Sequence, residues 1–248
     1  YIAAFGIGTQ KVEEYAKQEF PNARILRMDG DTTVKKGEYS RILHHFNSGD
    51  ADILIGTQMV VKGHDFENVA LVAAMAADLS LNMNDFRSAE RTFQLLYQAA
   101  GRAGRRKSTG EMIIQTYQPN HYSLEMVEKQ DYEGFYEKEL SYRKLLEYPP
   151  FGSILAILVV SKSEPRVKQA SELLKGAALE KAKDDTTIIG PANATVYRVS
   201  DRYRRLLYIK SKKMETLMEI KSFVEGFVHY SECFRQVSVY YLNPMNGY

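Results

Sequence analysis

A chain of 248 residues with a net charge of +2 and 44% hydrophobic side chains has enough apolar content for two compact domains with real cores. Its single cysteine, Cys233, excludes a disulfide framework and any four-cysteine metal site, and no apolar stretch approaches the roughly 18 residues of a membrane span. The near-neutral total selects no partner, but residues 151–248 hold 15 Lys+Arg against 10 Asp+Glu, which leaves +5 there and −3 in the rest.

In chain order, residues 8–20 read as a helix with Thr9 as its N-cap. ARILRMD (23–29) reads as a strand, and residues 37–50 as a helix with Tyr39, Ile42, Leu43 and Phe46 at helical spacing. Ile53, Leu54 and Ile55 form a short apolar run that ends at Gly56, the pattern of a buried parallel strand. VALVAAM (69–75) is a further strand. Alternation of helix and strand is a parallel-sheet signature, so the first part of the chain is predicted to be α/β. Residues 121–146 read as helical, with Leu124, Val127, Phe135, Leu140, Leu145 and Leu146 as buried positions. Tyr148-Pro149-Pro150 ends that helix, since proline lacks the amide and disfavours helical backbone before it. Tyr148 and Phe151 are expected to be packing anchors between domains. Beyond them the order is strand (153–162), helix (165–183), two strands joined by a basic turn, helix (213–228) and a last strand. That βαββαβ pattern describes a small α+β domain with two helices on one sheet face. The expected division is therefore 1–120, a helical linker 121–150, and 151–248.

Chemistry concentrates in two stretches. Thr57, Gln58, Lys62, Gly63, His64 and Asp65 follow the strand at 53–56, and the carboxyl ends of strands are where open α/β sheets place ligand sites. QAAGRAGR (98–105) carries Arg102 and Arg105 in a frame of small residues. Their planar forks match phosphate oxygens bidentately and could stabilise charge on a departing γ-phosphoryl group. A solvated basic turn is the alternative, because Arg106 and Lys107 extend the run. Arg202, Arg204 and Arg205 with Tyr203 offer cations for phosphate and a ring for stacking, against the alternative of a solvated hairpin. No GxxxxGK[ST] phosphate loop and no DExH-like run exist in the chain, although Gly6, Gly8 and Thr9 form a GxGT turn.

These pieces, namely GTQKVEE, ILIGTQMVVKGHDF, DLSLNMNDFRSAERTFQLLYQAAGRAGR, GEMIIQTYQP, DYEGFYEKEL and EYPPFG, resemble the second RecA-like lobe of superfamily 2 helicases. Within that group the resemblance is to the PriA family of replication-restart helicases, and it extends over essentially the whole chain, including the RYRRLLYIK strand. The resemblance implies that Gln98, Arg102 and Arg105 close on ATP phosphates held mainly by a first lobe. It implies that Gly63 and Asp65 reach the nucleotide, and that Thr57, Gln58 and Lys62 touch DNA. His64 is read as a loop residue and not as a general base. ATP and Mg2+ are the implied ligands; a zinc module belongs to the family but cannot form here and is expected upstream of Tyr1. Implied partners are forked or single-stranded DNA, single-strand DNA-binding protein and primosome proteins, in the bacterial cytoplasm and with no membrane. The implied activity is 3′-to-5′ unwinding, with this chain as the carboxyl-terminal part and inactive alone. A double-strand translocase and a catalytically silent DNA- and protein-binding platform are the competing readings.

Overall fold

The computed structural model describes residues 8–61, 66, 68–83, 85–103 and 110–243. The chain divides into two units, one of residues 1–83 and 88–135, the other of residues 84–87 and 136–248.

The first unit is an α/β lobe. It runs α1 (Thr9–Glu19), β1 (Ile25–Met28), α2 (Glu38–Asn47), β2 (Ile53–Gly56), β3 (Leu71–Ala74), α3 (Asp78–Leu81), α4 (Ser88–Ala100), β4 (Glu111–Ile114) and α5 (Tyr122–Glu128). Among the described residues its strand pairing is all parallel, as the alternating sequence pattern implies. The strands form two separate pairs, β1 with β2 and β3 with β4. The spacing in α2 turns Ile42 and Leu43 into a core with Met28 and Phe66, and Tyr39 and Phe46 pack on its margin. A second cluster joins Phe93 and Leu96 of α4 to Leu124, Met126 and Val127 of α5 and to Phe135.

Two expectations fail in this lobe. Thr9 is the first residue of α1 and not its cap; Gly8 precedes the helix without a side-chain cap, and the Thr9 hydroxyl donates to Asp29 instead. The stretch 121–150 is not a linker. α6 (Tyr132–Leu145) begins in the first unit, where Phe135 is 4% exposed, and continues into the second. Leu124, Val127 and Phe135 are buried as expected, whereas Leu145 and Leu146 are exposed.

The second unit continues with β5 (Ser153–Ser161), α7 (Glu164–Lys181), β6 (Thr187–Val199), β7 (Arg202–Ser211), α8 (Met214–Tyr230) and β8 (Ser238–Leu242). The antiparallel order β6-β7-β5-β8 is the βαββαβ arrangement. Ile157, Val159, Leu207 and Ile209 on one sheet face bury against Val167, Leu174, Ile220 and Val224 of the two helices. The β6–β7 turn is Ser200-Asp201, both in left-handed backbone (φ 48° and 59°), as a two-residue hairpin demands. The arginines therefore lie in the strand and not in the turn. Tyr148 is a packing anchor within this unit: its ring stacks on Phe86 at 5.4 Å and lies under the Lys210 ammonium at 4.4 Å. Phe151 is exposed and plays no comparable part.

Candidate nucleic-acid and phosphate interface

Parallel strands in register deliver their outgoing loops to the same edge. Met28 pairs with Gly56, so the loop after β1 (residues 29–37) and the loop after β2 (from Thr57) leave side by side. Gly56 is required there: a Cβ would sit 2.6 Å from the Met28 carbonyl oxygen and 2.2 Å from the Val60 side chain. Thr57 and Gln58 are exposed, and their carbonyls accept from the amides of Val60 (3.1 Å) and Val61 (3.3 Å), which sets the loop as consecutive turns.

Across from them the first loop is organised by Asp29, which is 6% exposed. Its carboxylate accepts from the Thr9 hydroxyl and from the amides of Asp31 (3.0 Å) and Thr32 (2.9 Å), while the Thr33 hydroxyl donates to the Asp29 carbonyl (2.6 Å). The Thr9 hydroxyl bond, reinforced by Thr32 and the Arg27 charge, holds the Asp29 carboxyl below its ordinary pKa against the opposing effect of burial. A carboxyl so depressed contributes stability above its unfolded pKa, near about 3.9, and loses that contribution as pH falls through the lower folded value. Asp29→Asn should therefore destabilise the lobe at pH 7 by about 1–3 kcal/mol. The difference from the unsubstituted protein should vanish in melts taken progressively below pH 4, roughly; a pH-independent difference would contradict this role. Lys35 and Lys36 project from the same loop, exposed and without an ion pair among the described residues. Sequence reasoning did not single them out; their signal is the TTVKK stretch (32–36) in the loop after β1.

The other candidate group sits at the end of α4. Phe93, Leu96 and Ala99 bury one side of that helix, leaving Gln98 exposed on its last turn. Arg102 follows after Gly101, partly buried, its amide donating to Ala99 at 3.0 Å. Lys62, Gly63, His64, Asp65 and Arg105 lie outside the described residues.

The basic hairpin is not a single patch. Side chains alternate across a strand, so Arg202 and Arg204 face one side of β7 and Tyr203 and Arg205 the other. Arg205 is turned to the helix layer, with its side chain 13% exposed, donating to the Ser171 hydroxyl (3.0 Å) and the Pro191 carbonyl (2.8 Å) and lying 3.4 Å from Glu172. Tyr203 packs on the helix-side core, beside Tyr197 at 5.4 Å and under the Arg198 guanidinium at 5.3 Å. The expectation that all four residues form one DNA contact is corrected: two of them are structural.

Among the described residues no group of His, Cys, Asp and Glu could hold a metal ion, and no helix is long and apolar enough to cross a membrane.

Comparison with known proteins finds two family matches along the chain. Residues 2–107 match the helicase conserved C-terminal domain, and residues 144–240 match the primosomal protein N C-terminal domain. The replication restart protein PriA of Bacillus subtilis is 45% identical over 251 residues, covering 100% of this chain and 31% of that protein. PriA of a Synechocystis species is 42% identical over 210 residues (85% of this chain, 25% of the relative), and that of Borreliella burgdorferi 39% over 213 (86% and 32%). The chain thus spans about a third or less of the relatives it matches. Parallel-strand lobe, polar loops at one strand edge and the domain match together define a helicase C-terminal lobe joined to a small α+β domain. The chain belongs to the PriA family of replication restart proteins and corresponds to its carboxyl-terminal portion.

Proposed function

We propose that the intact protein is an ATP-driven, 3′-to-5′ DNA helicase of replication restart, and that this chain supplies its second motor lobe and carboxyl-terminal domain. The observation that carries the reading is the common edge of β1 and β2, which sets Thr57 and Gln58 beside the Asp29-braced loop with Lys35 and Lys36. Exposed hydroxyl, amide and ammonium groups on a braced frame suit a phosphodiester backbone, and such contacts position a strand without reading its sequence. Gln98 and Arg102 at the end of α4, with Arg105 beyond, supply amide and guanidinium donors for ATP phosphates. In this reading Gly63 and Asp65 approach the nucleotide and Lys62 the DNA.

The chain has cations for a leaving phosphoryl group but no phosphate loop and no acidic run for Mg2+. ATP and Mg2+ are accordingly held mainly by the first lobe. Closure of this lobe brings the arginines to the phosphates, and reopening after hydrolysis lets the Thr57 and Gln58 loop shift its grip along the strand. By the family reading, the intact protein works in the bacterial cytoplasm with primosome proteins and single-strand DNA-binding protein, and zinc belongs to another part of it.

Isothermal titration tests the half-site directly. The 248-residue chain should bind ATP only weakly and show no turnover or unwinding; micromolar ATP affinity would overturn the assignment. The intact protein should hydrolyse ATP when DNA is added and unwind a forked duplex. Translocation without strand separation would favour the duplex translocase, and no hydrolysis at all would favour the silent platform.

A further inference from the structure

Residues 84–87 lie between α3 and α4, two helices of the first unit, yet they group with the second. Phe86 holds them there. Its ring stacks on Tyr148 at 5.4 Å with 22° between the planes, and the Arg143 guanidinium of α6 lies over it at 5.3 Å. Both partners are fixed in turn. Arg143, with 12% of its side chain exposed, donates to Glu139 (2.8 Å) and to the Pro149 carbonyl (3.3 Å). The Lys210 ammonium of β7 sits over the Tyr148 ring and donates to the Leu146 carbonyl at 2.6 Å. The Asp85 carboxylate accepts from the Arg87 amide (3.0 Å), a local turn that sends the chain directly into α4 at Ser88.

The 13 residues of α4 form one uninterrupted helix, a rod roughly 20 Å long. It starts two positions after Phe86, and Arg102 follows two positions after its end. α6 makes contacts relevant to both: Phe135 in its first turn stacks on Phe93 of α4 at 4.0 Å, and Arg143 in its last turn covers Phe86. We propose that Phe86 is a positioning residue for ATP hydrolysis: its clamp fixes where α4 begins, and thereby the direction in which Arg102 leaves the other end. An arginine that neutralises moving charge must be in register with it, so a small displacement forfeits rate while ground-state binding survives. Bulk alone does not make the clamp. A ring presents a face to the tyrosine and to the guanidinium, which an aliphatic side chain cannot. The inference rests on the reading of Arg102 as a donor to ATP phosphates.

In the intact protein, Phe86→Ala should lower DNA-stimulated turnover about 10- to 100-fold, with the KM for ATP little changed. Phe86→Leu fills the position without a ring and should lose a comparable amount, which keeps the test open if the alanine variant unfolds. Phe86→Tyr should restore turnover, and Tyr148→Ala should match Phe86→Ala. The decisive measurement combines Phe86→Ala with Arg102→Ala. A residue acting through Arg102 adds no further loss in that double variant, whereas a merely structural residue multiplies its own loss into it. Melting curves set a temperature at which every variant is folded. Normal turnover in Phe86→Leu, or losses that multiply in the double variant, would overturn the positioning role. Either outcome leaves the reading of Arg102 standing so long as Arg102→Ala alone is impaired; near-normal turnover in Arg102→Ala removes that reading and this inference with it.

Discussion

In the intact protein, Arg102→Ala or Arg105→Ala should lower DNA-stimulated ATP turnover by about 10³-fold or more, the effect of losing an arginine that neutralises a departing phosphoryl group. ATP affinity should change far less if, as proposed, the first lobe makes most of the phosphate contacts and these arginines act where charge shifts in the transition state. Arg102→Lys should recover little, since a point charge on a flexible stem does not reproduce a planar fork. Steady-state hydrolysis at saturating DNA, paired with a direct measurement of ATP binding, separates the cases. Near-normal turnover in both alanine variants would rule out the role. A loss of affinity with turnover per bound ATP unchanged would point to ground-state binding instead. Arg102 is held in a defined frame, because it follows α4 by two residues and α4 is pinned by the burial of Phe93, Leu96 and Ala99.

The second large effect concerns that frame. Phe93 is 1% exposed, its ring lies 4.0 Å from that of Phe135 at an interplanar angle of 3°, and Tyr97 stacks on it at 5.2 Å. Phe93→Ala should therefore destabilise the lobe by about 3–5 kcal/mol, combining lost burial with the cavity left behind. Phe135→Ala should cost a comparable amount, and the double variant should cost clearly less than the sum, since both remove the same contact. Phe93→Leu, which keeps most of the volume, should recover much of the loss. Calorimetric melting measures each. A cost below about 1 kcal/mol for Phe135→Ala would show that the first turn of α6 lies outside the lobe's core. Because α4 carries Gln98 and leads to Arg102, Phe93→Ala should also depress ATP turnover in the intact protein at temperatures where it remains folded.

Much of the fold was legible from neighbours in the chain. Tyr39, Ile42, Leu43 and Phe46 mark one side of α2, and Val167, Ala170, Leu174, Ala177 and Ala178 mark the buried side of α7, because helical spacing is a local property. The apolar run of β5 announced a strand, and all but the first of its nine residues are buried. The motif stretches were legible for the same reason. A polar loop after an apolar strand, and arginines among small residues, are patterns within a few positions of one another.

What the sequence determined by itself was therefore the order of most elements, though not α3, α4 and β4 or the break between α5 and α6, the core-facing side of α2 and α7, and the residue types available for phosphate and DNA. Tertiary structure alone decided which of those residues are available. Thr9 looked like a helix cap, yet its hydroxyl serves Asp29, twenty positions away, because β1 passes beside the start of α1. Arg204 and Arg205 are chemically alike and adjacent, but the hairpin turn at Ser200-Asp201 starts β7 at Arg202 and sends them to opposite faces. One meets Ser171 and Pro191, brought there by α7 and β6; the other shares its face with Tyr240 from the last strand. The physical reason is one of range. Periodicity depends on residues two to four positions away, whereas burial, pairing and the fate of a charged side chain depend on segments that only the folded chain brings together.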